Sequence, residues 1–268
     1  MIGLFDSGLG GLTVWREVNR VLPRHDLYYL GDTARTPYGN RPPETVYQFT
    51  KEAVDFLFKQ GCELIILACN TASAEALRKL QQEYLPRHYP ERRILGVIRP
   101  LAEEAAMITK NNRVGVIGTR GTINSGVYDQ ELKAQKPSIE VFSQAAPLLV
   151  PLIEEGWHRQ SAMIKVLRSY LKPLKQARID TLILGCTHYP WLAAEIESIV
   201  GKKVTVLSGG KIVAAKLLDY LNRHPELDQR LTKNGRRVVV TTDRPNQFMN
   251  LAKRYLGQLP AVEQVTLD

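Results

Sequence analysis

The chain has 268 residues, which is long enough for one large domain or for two domains of about 130 residues. Hydrophobic residues make up 44% of it and charged residues 24%, and no run approaches the ~18 consecutive apolar residues of a membrane span. The formal net charge of +9 favours an acidic partner, yet the basic residues are scattered rather than gathered into a stripe with aromatics, so an anionic small molecule is expected rather than nucleic acid.

The chain begins with the pattern of a strand, a glycine turn and a helix. An apolar run over residues 2–5 enters the turn at residues 6–11, and apolar side chains then recur at helical spacing. The N-terminus lacks the basic region and long apolar run of a signal peptide, which predicts a cytoplasmic location. A second strand over residues 27–30 leads into a polar loop at residues 33–40, and a helix follows over residues 43–60.

Two later stretches, residues 63–71 and 180–188, read like copies of one another. Each has an acidic residue, a largely apolar four-residue run, a small residue, a cysteine and then polar residues. Such a run predicts a strand buried on both faces of a parallel sheet, and Cys69 and Cys186 fall where these strands end. Open α/β sheets bind ligands at that edge, so we expect the two thiols to form a twofold-related pair in one site.

A helix is expected to follow each cysteine. Asn70, Thr71 and Ser73 are typical capping residues, and they precede a helical pattern of apolar side chains. The free N–H groups and positive dipole at such a helix N-terminus lower the pKa of a thiol from ~8.5 and favour the thiolate. We therefore predict polarised thiols suited to proton transfer.

The alternation of strands and helices continues through the chain, with further strands predicted at residues 94–98, 114–117, 139–142, 204–207 and 238–240. This pattern predicts an α/β fold of two similar domains, with mostly parallel sheets flanked by helices and the active site in the cleft between them. We expect residues 1–97 and 208–268 to form the first domain and residues 98–207 the second.

Other thiol chemistries fit the sequence less well. A nucleophilic cysteine paired with His188 uses one sulfur and leaves the second unexplained, and the two cysteines of a redox pair usually lie close together as CxxC. Metal binding by Cys69, Cys186 and His188 lacks a fourth ligand at helpful spacing, so no metal is expected. The third cysteine, Cys62, precedes its strand and is predicted to pack as a small hydrophobe.

The turn after the first strand admits more than one interpretation. Asp6 ends the strand and should reach the same cleft as Cys69, although an Asp before a glycine turn also commonly caps the following helix. The turn resembles a dinucleotide fingerprint, but Thr13 stands where that motif needs its third glycine, so no such cofactor is predicted. His188 is either a core histidine or an acid or base partner of Cys186.

Six motifs carry a family resemblance, and they are DSGLGGLT at residues 6–13, GDTARTPYG at 31–39, LACNTA at 67–72, GTRGT at 118–122, VPLIEEG at 150–156 and LGCTHYP at 184–190. Together and in this order they resemble the cofactor-independent glutamate racemases, within the wider aspartate and glutamate racemase group. The resemblance implies two α/β domains with the active site between them and no metal, flavin or pyridoxal phosphate. It further implies interconversion of L- and D-glutamate, D-glutamate destined for peptidoglycan, and a homodimer.

By similarity, Cys69 and Cys186 are the two bases on opposite faces of the bound amino acid. Asp6 is then expected to assist Cys69, and His188 with Glu154 to assist Cys186. The resemblance also implies a set of substrate contacts made by hydroxyls, amides and strand-end backbone: Ser7, Pro37, Tyr38, Gly39, Asn70, Thr71, Thr119, Thr122 and Thr187.

The sequence alone leaves alternatives for the site carboxylate and for the function. Glu155 sits beside Glu154 and competes with it as the site carboxylate. The sequence departs from the family pattern at Arg99, where Glu is common, at Ala146, where an Ala-Cys-Pro run is common, and at residues 208–210, where SGG replaces Asp-Ser-Gly. These departures bear on the crossover region and the oligomer interface. The rival functions are a racemase of another acidic amino acid, such as aspartate, and a noncatalytic protein that binds an acidic ligand.

Overall fold

The computed structural model of the protein describes residues 1–257 and 260–267. Its strands are β1 (Ile2–Asp6), β2 (Leu27–Gly31), β3 (Leu64–Leu67), β4 (Arg93–Gly96), β5 (Arg113–Gly118), β6 (Glu140–Ala145), β7 (Thr181–Gly185), β8 (Thr205–Leu207), β9 (Arg237–Thr241) and β10 (Val262–Gln264). They form a six-stranded sheet of order β10-β9-β2-β1-β3-β4 and a four-stranded sheet of order β6-β5-β7-β8. Every neighbouring pair is parallel.

Helices cover both faces of each sheet, and they are α1 (Leu12–Val21), α2 (Pro43–Lys59), α3 (Asn70–Glu75), α4 (Leu77–Lys79), α5 (Leu85–His88), α6 (Ile98–Ile108), α7 (Arg120–Asn124), α8 (Val127–Gln135), α9 (Leu149–Glu154), α10 (Ser161–Gln176), α11 (Ala193–Val200), α12 (Gly209–Arg223), α13 (Pro225–Arg230) and α14 (Pro245–Leu256). Strands β1, β2, β3 and β7 are buried at every position, as a parallel sheet with helices on both faces requires. The predicted α/β fold with two parallel sheets is confirmed. No helix in the described part of the chain combines the length and apolar character needed to cross a membrane.

The two sheets repeat one pattern of strand connections. The order β2-β1-β3-β4 in the larger sheet matches β6-β5-β7-β8 in the smaller, and β9 and β10 extend the larger sheet at one edge. Strands β3 and β7 therefore occupy equivalent positions, and Cys69 and Cys186 follow them at equivalent points. The near-repeat in the sequence thus corresponds to a repeat in the topology.

The chain passes between the sheets twice. It leaves the larger sheet after β4 through α6, and it returns after β8 through α12 and α13. The domain boundaries predicted at 97/98 and 207/208 fall in these two connections and stay a prediction.

Several predicted elements differ from the observed ones. The strand expected at residues 94–98 is shorter, because Ile98 already begins α6. The helix expected after Cys69 is broken into α3, α4, a π-helical turn at Leu80–Tyr84 and α5. Its N-cap is Cys69 itself rather than Asn70, Thr71 or Ser73. The short edge strand β10 was not predicted, because its mostly polar sequence lacks a strand pattern.

The acidic residue that opens each cysteine stretch anchors a neighbouring segment. Glu63 forms ion pairs with Arg230 and Arg92. Asp180 accepts hydrogen bonds from the Thr109 hydroxyl and from the N–H groups of residues 110 and 111, each at 2.7 Å. Burial opposes its charge, but these donors prevail and lower the pKa of Asp180. The carboxylate thereby fixes the turn that leads into β5 beside β7.

Replacing this carboxylate tests its contribution to stability. Asp180→Asn should lower the free energy of unfolding at pH 7 by about 1 kcal/mol, because an amide accepts these hydrogen bonds less strongly. Since folding lowers the pKa of Asp180, its stabilisation is present above the ordinary value of 3.8 and is lost as the pH falls through the folded-state value. Denaturant titrations at pH 7 and pH 3 measure this. Asp129→Asn, at an exposed helix pair with Lys133, is the control. An equal loss at both pH values would contradict the assignment.

Candidate active site

The loops at the carboxyl ends of the two sheets meet in one place. The Thr187 hydroxyl donates to Oδ2 of Asp6 at 3.1 Å, and the Thr71 and Thr119 hydroxyls lie 2.9 Å apart. Both contacts join a loop of the larger sheet to a loop of the smaller one. We call this region the seam, and define it by residues 6–11, 69–71, 119–122 and 186–188. It contains both predicted cysteines.

Cys69 ends the loop after β3 and caps α3, since the Ala72 N–H donates to its sulfur at 3.5 Å. The thiol in turn donates to the Ser7 hydroxyl at 3.5 Å. Burial, with a smaller contribution from Asp6, raises the pKa of Cys69 to about 12, against the opposing effect of the hydrogen bonds with Ala72 and Ser7. The expectation that the helix N-terminus lowers this pKa is therefore wrong for Cys69, because removal from water outweighs the few donors around the sulfur.

Cys186 follows β7 and has a different neighbour. Its sulfur lies 3.9 Å from Nδ1 of His188, and Nε2 of the same ring lies 2.9 Å from Oε1 of Glu154. Burial opposes charge on the ring, but the hydrogen bonds to Cys186 and Glu154 prevail and raise the pKa of His188 to about 10. His188 is therefore protonated at neutral pH. Of the two adjacent glutamates, Glu154 is the one hydrogen-bonded to His188.

The helix expected directly after Cys186 is not present. A 3-10 turn begins at Tyr189, with His188 as its cap residue and without a side-chain cap. The environment of Cys186 is consequently set by the imidazole and not by a helix N-terminus. The ring of His188 also meets the Trp191 ring edge-on, with centroids 5.3 Å apart, which holds its plane in place.

Asp6 is fully buried at the end of β1. Its carboxyl accepts the Gly8 N–H at 3.0 Å and the Thr187 hydroxyl at 3.1 Å. Burial raises the pKa of Asp6, although the charge on His188 and these donors act in the opposite direction. Helix α1 begins after Gly11 without a side-chain cap, so Asp6 is not its capping residue. The carboxyl instead ties the β1 loop to the Cys186 loop.

Three threonine hydroxyls converge from both sides of the seam. Thr71, Thr119 and Thr122 form a triangle with oxygen separations of 2.9, 3.0 and 3.1 Å. Thr119 also caps α7 by accepting the Thr122 N–H at 3.2 Å. Because a hydroxyl both donates and accepts, such a cluster can turn its donors toward an anion. The structure thus brings these three predicted residues together.

The loop at residues 37–39 is only partly at the seam. A Cβ atom on Gly39 would lie 2.5 Å from Cβ of Thr119, so this glycine packs directly on the opposite loop. The side chain of Tyr38 is buried and donates to Oδ2 of Asp32 at 2.5 Å. A substrate contact from Tyr38 would therefore have to come from its backbone. Pro37 is exposed to solvent.

Glycine is required where the loops approach most closely. A Cβ on Gly10 would lie 2.4 Å from Oγ1 of Thr187 and 2.5 Å from Nδ1 of His188. A Cβ on Gly121 would lie 3.0 Å from Cγ2 of Thr71. Gly10 belongs to the glycine turn that resembles a cofactor fingerprint in sequence. Its lack of a side chain lets His188 approach the loop after β1.

Sequence reasoning missed three residues that support the seam. Thr13 donates to the backbone oxygens of Gly10 at 2.8 Å and Thr187 at 3.3 Å. Asp32 accepts hydrogen bonds that hold the loop carrying Tyr38. It directly follows β2, much as Asp6 ends β1, and this position at a strand end is a sequence signal that could have identified it. Tyr128 donates to Oδ1 of Asn70 at 2.7 Å. No local pattern indicates the contacts of Thr13 with Thr187 or of Tyr128 with Asn70, because these partners are remote in sequence.

Cavities and metal-binding groups do not point to another catalytic centre in the described residues. A cavity of about 540 Å³ is lined by residues of α3, α4, α6, α8 and α12 and contains neither seam cysteine. A cavity of only about 10 Å³ touches the seam at Asn70, Cys186 and Thr187. We place the candidate site at the seam because the buried titratable groups lie there.

Within residues 1–257 and 260–267, no three His, Cys, Asp or Glu side chains are arranged to hold a metal ion.

Comparison with known proteins agrees with the fold. The sequence matches the family described as Asp/Glu/Hydantoin racemase over residues 3–217. It is 43% identical to the glutamate racemase of Geobacter metallireducens, over 100% of this chain and 97% of that protein. It is 43% identical to the glutamate racemase of Enterococcus faecalis, over 96% and 92% respectively.

Solved structures give the same result. A glutamate racemase isoform of Bacillus anthracis is similar with a TM-score of 0.91 and 37% identity, over 100% of this chain and 97% of that one. The glutamate racemase of Francisella tularensis in complex with D-glutamate has a TM-score of 0.89 and 34% identity, with the same coverage. Fold and similarity together define a racemase, an isomerase with two parallel sheets flanked by helices. The chain belongs to the Asp/Glu/Hydantoin racemase family.

The pairing of His188 with Glu154 can be tested without an activity assay. Glu154→Gln should lower the pKa of His188 below about 10, because it removes the carboxylate that favours the charged ring. In the wild type the folded-state pKa lies above the ordinary value of 6.5, so this pair stabilises the fold fully below pH 6.5 and loses its effect as the pH rises through about 10. Titration of the ring signals by NMR measures the shift.

Glu155→Gln is the matched control, since it makes the same change one residue further along the chain. It should leave the His188 titration unchanged. A lower pKa of His188 in Glu155→Gln, with no shift in Glu154→Gln, would reverse the assignment.

Proposed function

We propose that the protein is a glutamate racemase that interconverts L- and D-glutamate by transferring the α-proton between two thiols. The observation that carries this proposal is the pair of buried cysteines, Cys69 and Cys186, at equivalent strand ends of one seam. The similar proteins of G. metallireducens and E. faecalis are glutamate racemases, and the similar F. tularensis structure holds D-glutamate, which supports this substrate.

The proposed reaction requires one sulfur on each face of the α-carbon. A thiolate removes the α-proton, so that the C–H bond breaks as an S–H bond forms. The opposite thiol then delivers its own proton to the carbon, which inverts the centre. A single base would return the proton to the face it left. The need for two matched acids therefore explains why the cysteine stretch is repeated.

The surroundings of the sulfurs support different starting roles. With a pKa of about 12, Cys69 is protonated at neutral pH, and the buried Asp6 favours this form. Beside Cys186, the protonated His188 can stabilise a thiolate as it forms, and Glu154 holds that charge in place. We assign Cys69 as the first proton donor and Cys186 as the first base. Reaction in the other direction requires Cys69 to lose its proton, which a substrate ammonium brought near the sulfur favours.

The polar groups of the seam suit the carboxylates of glutamate. We propose that the triangle of Thr71, Thr119 and Thr122, with Ser7 and Thr187, donates hydrogen bonds to them. The backbone of residues 37–39 and the Asn70 amide complete the proposed contacts. The net charge of +9 favours approach of a substrate whose two carboxylates outweigh its single ammonium group.

The wider role follows from the same resemblance. We propose that the D-glutamate serves peptidoglycan synthesis in the cytoplasm, that the protein acts as a homodimer, and that the reaction needs no metal or organic cofactor. The alternative substrate is another acidic amino acid such as aspartate. A noncatalytic protein that binds an acidic ligand is the rival from another class.

Incubation in deuterated water tests reaction and substrate together. With L-glutamate, we expect D-glutamate to appear and deuterium to enter the α-position, because the delivered proton comes from a sulfur that exchanges with solvent. Chiral chromatography and NMR measure the two products. Absence of α-deuterium would exclude catalysis on glutamate, whereas equal or greater turnover of aspartate would overturn the substrate assignment.

The two-thiol mechanism is tested by single substitutions. Cys69→Ala and Cys186→Ala should each lower the rate of racemisation by roughly 100- to 10,000-fold, the usual contribution of a positioned acid or base. Both variants should still fold. Cys62→Ala is the matched control, because this third buried thiol packs beside Gly3 and lies outside the seam. Near-normal activity in either seam variant would refute the mechanism.

A further inference from the structure

Tyr128, in the first turn of α8, contacts the segments that carry both seam cysteines. Its hydroxyl donates to Oδ1 of Asn70 at 2.7 Å, and Asn70 directly follows Cys69. On the other side, a Cβ on Gly185 would lie 3.2 Å from Cε2 of Tyr128, and Gly185 directly precedes Cys186. One buried side chain therefore spans from the end of β3 to the end of β7.

The Asn70 amide turns its carbonyl oxygen toward the Tyr128 hydroxyl. The hydroxyl donates to that oxygen, and the NH₂ group of the amide lies on the other side. Among the described residues that NH₂ group donates to no protein acceptor. Asn70 also lines the small cavity that Cys186 and Thr187 line. The amide is thus held as a donor next to the reacting groups.

The position of the ring is fixed independently of this hydrogen bond. Tyr128 is 2% exposed and packs in the core of the smaller sheet with Val116, Leu132 and Ile183. Because the ring is tightly packed, the position of its hydroxyl is fixed, and the hydroxyl can hold the Asn70 amide in one orientation.

We propose that Tyr128 is a positioning residue of this site, which holds the Asn70 NH₂ group as a donor to a carboxylate of the substrate. The proposal rests on the function proposed above, since it assumes a dicarboxylate in the seam. Tyr128 itself touches no reacting atom and acts through Asn70. Without this hydroxyl, the amide oxygen loses the partner that holds it in place.

Kinetics of Tyr128→Phe test the proposal, because this change keeps the ring and removes only the hydroxyl. We expect KM for both glutamate enantiomers to rise roughly tenfold and kcat to change much less, since the affected contact serves binding. Tyr84→Phe is the matched control. It removes a tyrosine hydroxyl that donates to Asp55 at 2.7 and 2.8 Å, away from the seam, and should leave KM unchanged.

A double-mutant cycle shows whether Tyr128 acts through Asn70. In the Asn70→Ala background, Tyr128→Phe should have no further effect on KM, because the amide it orients is gone. Independent, multiplying effects on KM would overturn the proposal. An unchanged KM in Tyr128→Phe with a lowered unfolding temperature would also overturn it, since that result marks a purely structural residue.

A second variant keeps the test decisive if Tyr128→Phe folds poorly. Asn70→Asp retains an acceptor for the Tyr128 hydroxyl but replaces the NH₂ donor with a negative charge. We expect it to raise KM more than Asn70→Ala, because its carboxylate repels that of the substrate. A KM equal to or below that of Asn70→Ala would refute the donor role. Failure of the wild type to racemise glutamate would instead refute the proposed function, and this inference with it.

Discussion

Exclusion of water from the seam is the constraint on which the rest of the structure depends. Asp6, Cys69, Cys186 and His188 are 0%, 6%, 7% and 5% exposed, so solvent stabilises little of any charge they carry. Their protonation is set by their neighbours instead. His188 has a carboxylate partner and stays charged, whereas Cys69 has only weak donors and a neighbouring carboxyl, and it stays neutral. The two thiols are buried to a similar degree, and their different neighbours make their surroundings unequal.

This exclusion depends on how closely the loops approach. Gly10, Gly39 and Gly121 lie where any Cβ would meet the opposite loop at 3.0 Å or less. Each therefore acts by lacking a side chain, and none of the three has a positive φ that would require glycine for conformational reasons. The polar atoms enclosed by this packing are satisfied across the seam by the bonds of Thr187 to Asp6 and of Thr71 to Thr119. Close packing and cross-sheet hydrogen bonding are consequently two aspects of one arrangement.

The sequence permits prediction of features that depend on local pattern. Buried strands have an apolar pattern, so the positions of Cys69 and Cys186 at equivalent strand ends could be derived, and Asp6 with them. The pKa of Cys69 could not, because it depends on how much water the whole fold removes. Nor could the role of Tyr128, whose partner Asn70 begins α3 and lies 58 residues away in the sequence. The helix broken after α3 is a third case, since no proline or glycine lies between Asn70 and Tyr84 to mark the break.

The different surroundings of the two sulfurs cannot change the equilibrium between the two enantiomers. L- and D-glutamate have equal free energies in water, so the protein cannot favour one enantiomer at equilibrium, however different the partners of Cys69 and Cys186 are. In the proposed reaction each turnover moves one proton onto one sulfur and one off the other, and so it leaves the protein in the complementary protonation form. The imidazolium beside Cys186 and the burial of Cys69 favour one of these forms. The asymmetry therefore determines for which enantiomer the thiolate is already formed when the substrate binds. When the other enantiomer binds, the charge of the substrate must offset the preference for that protonation form.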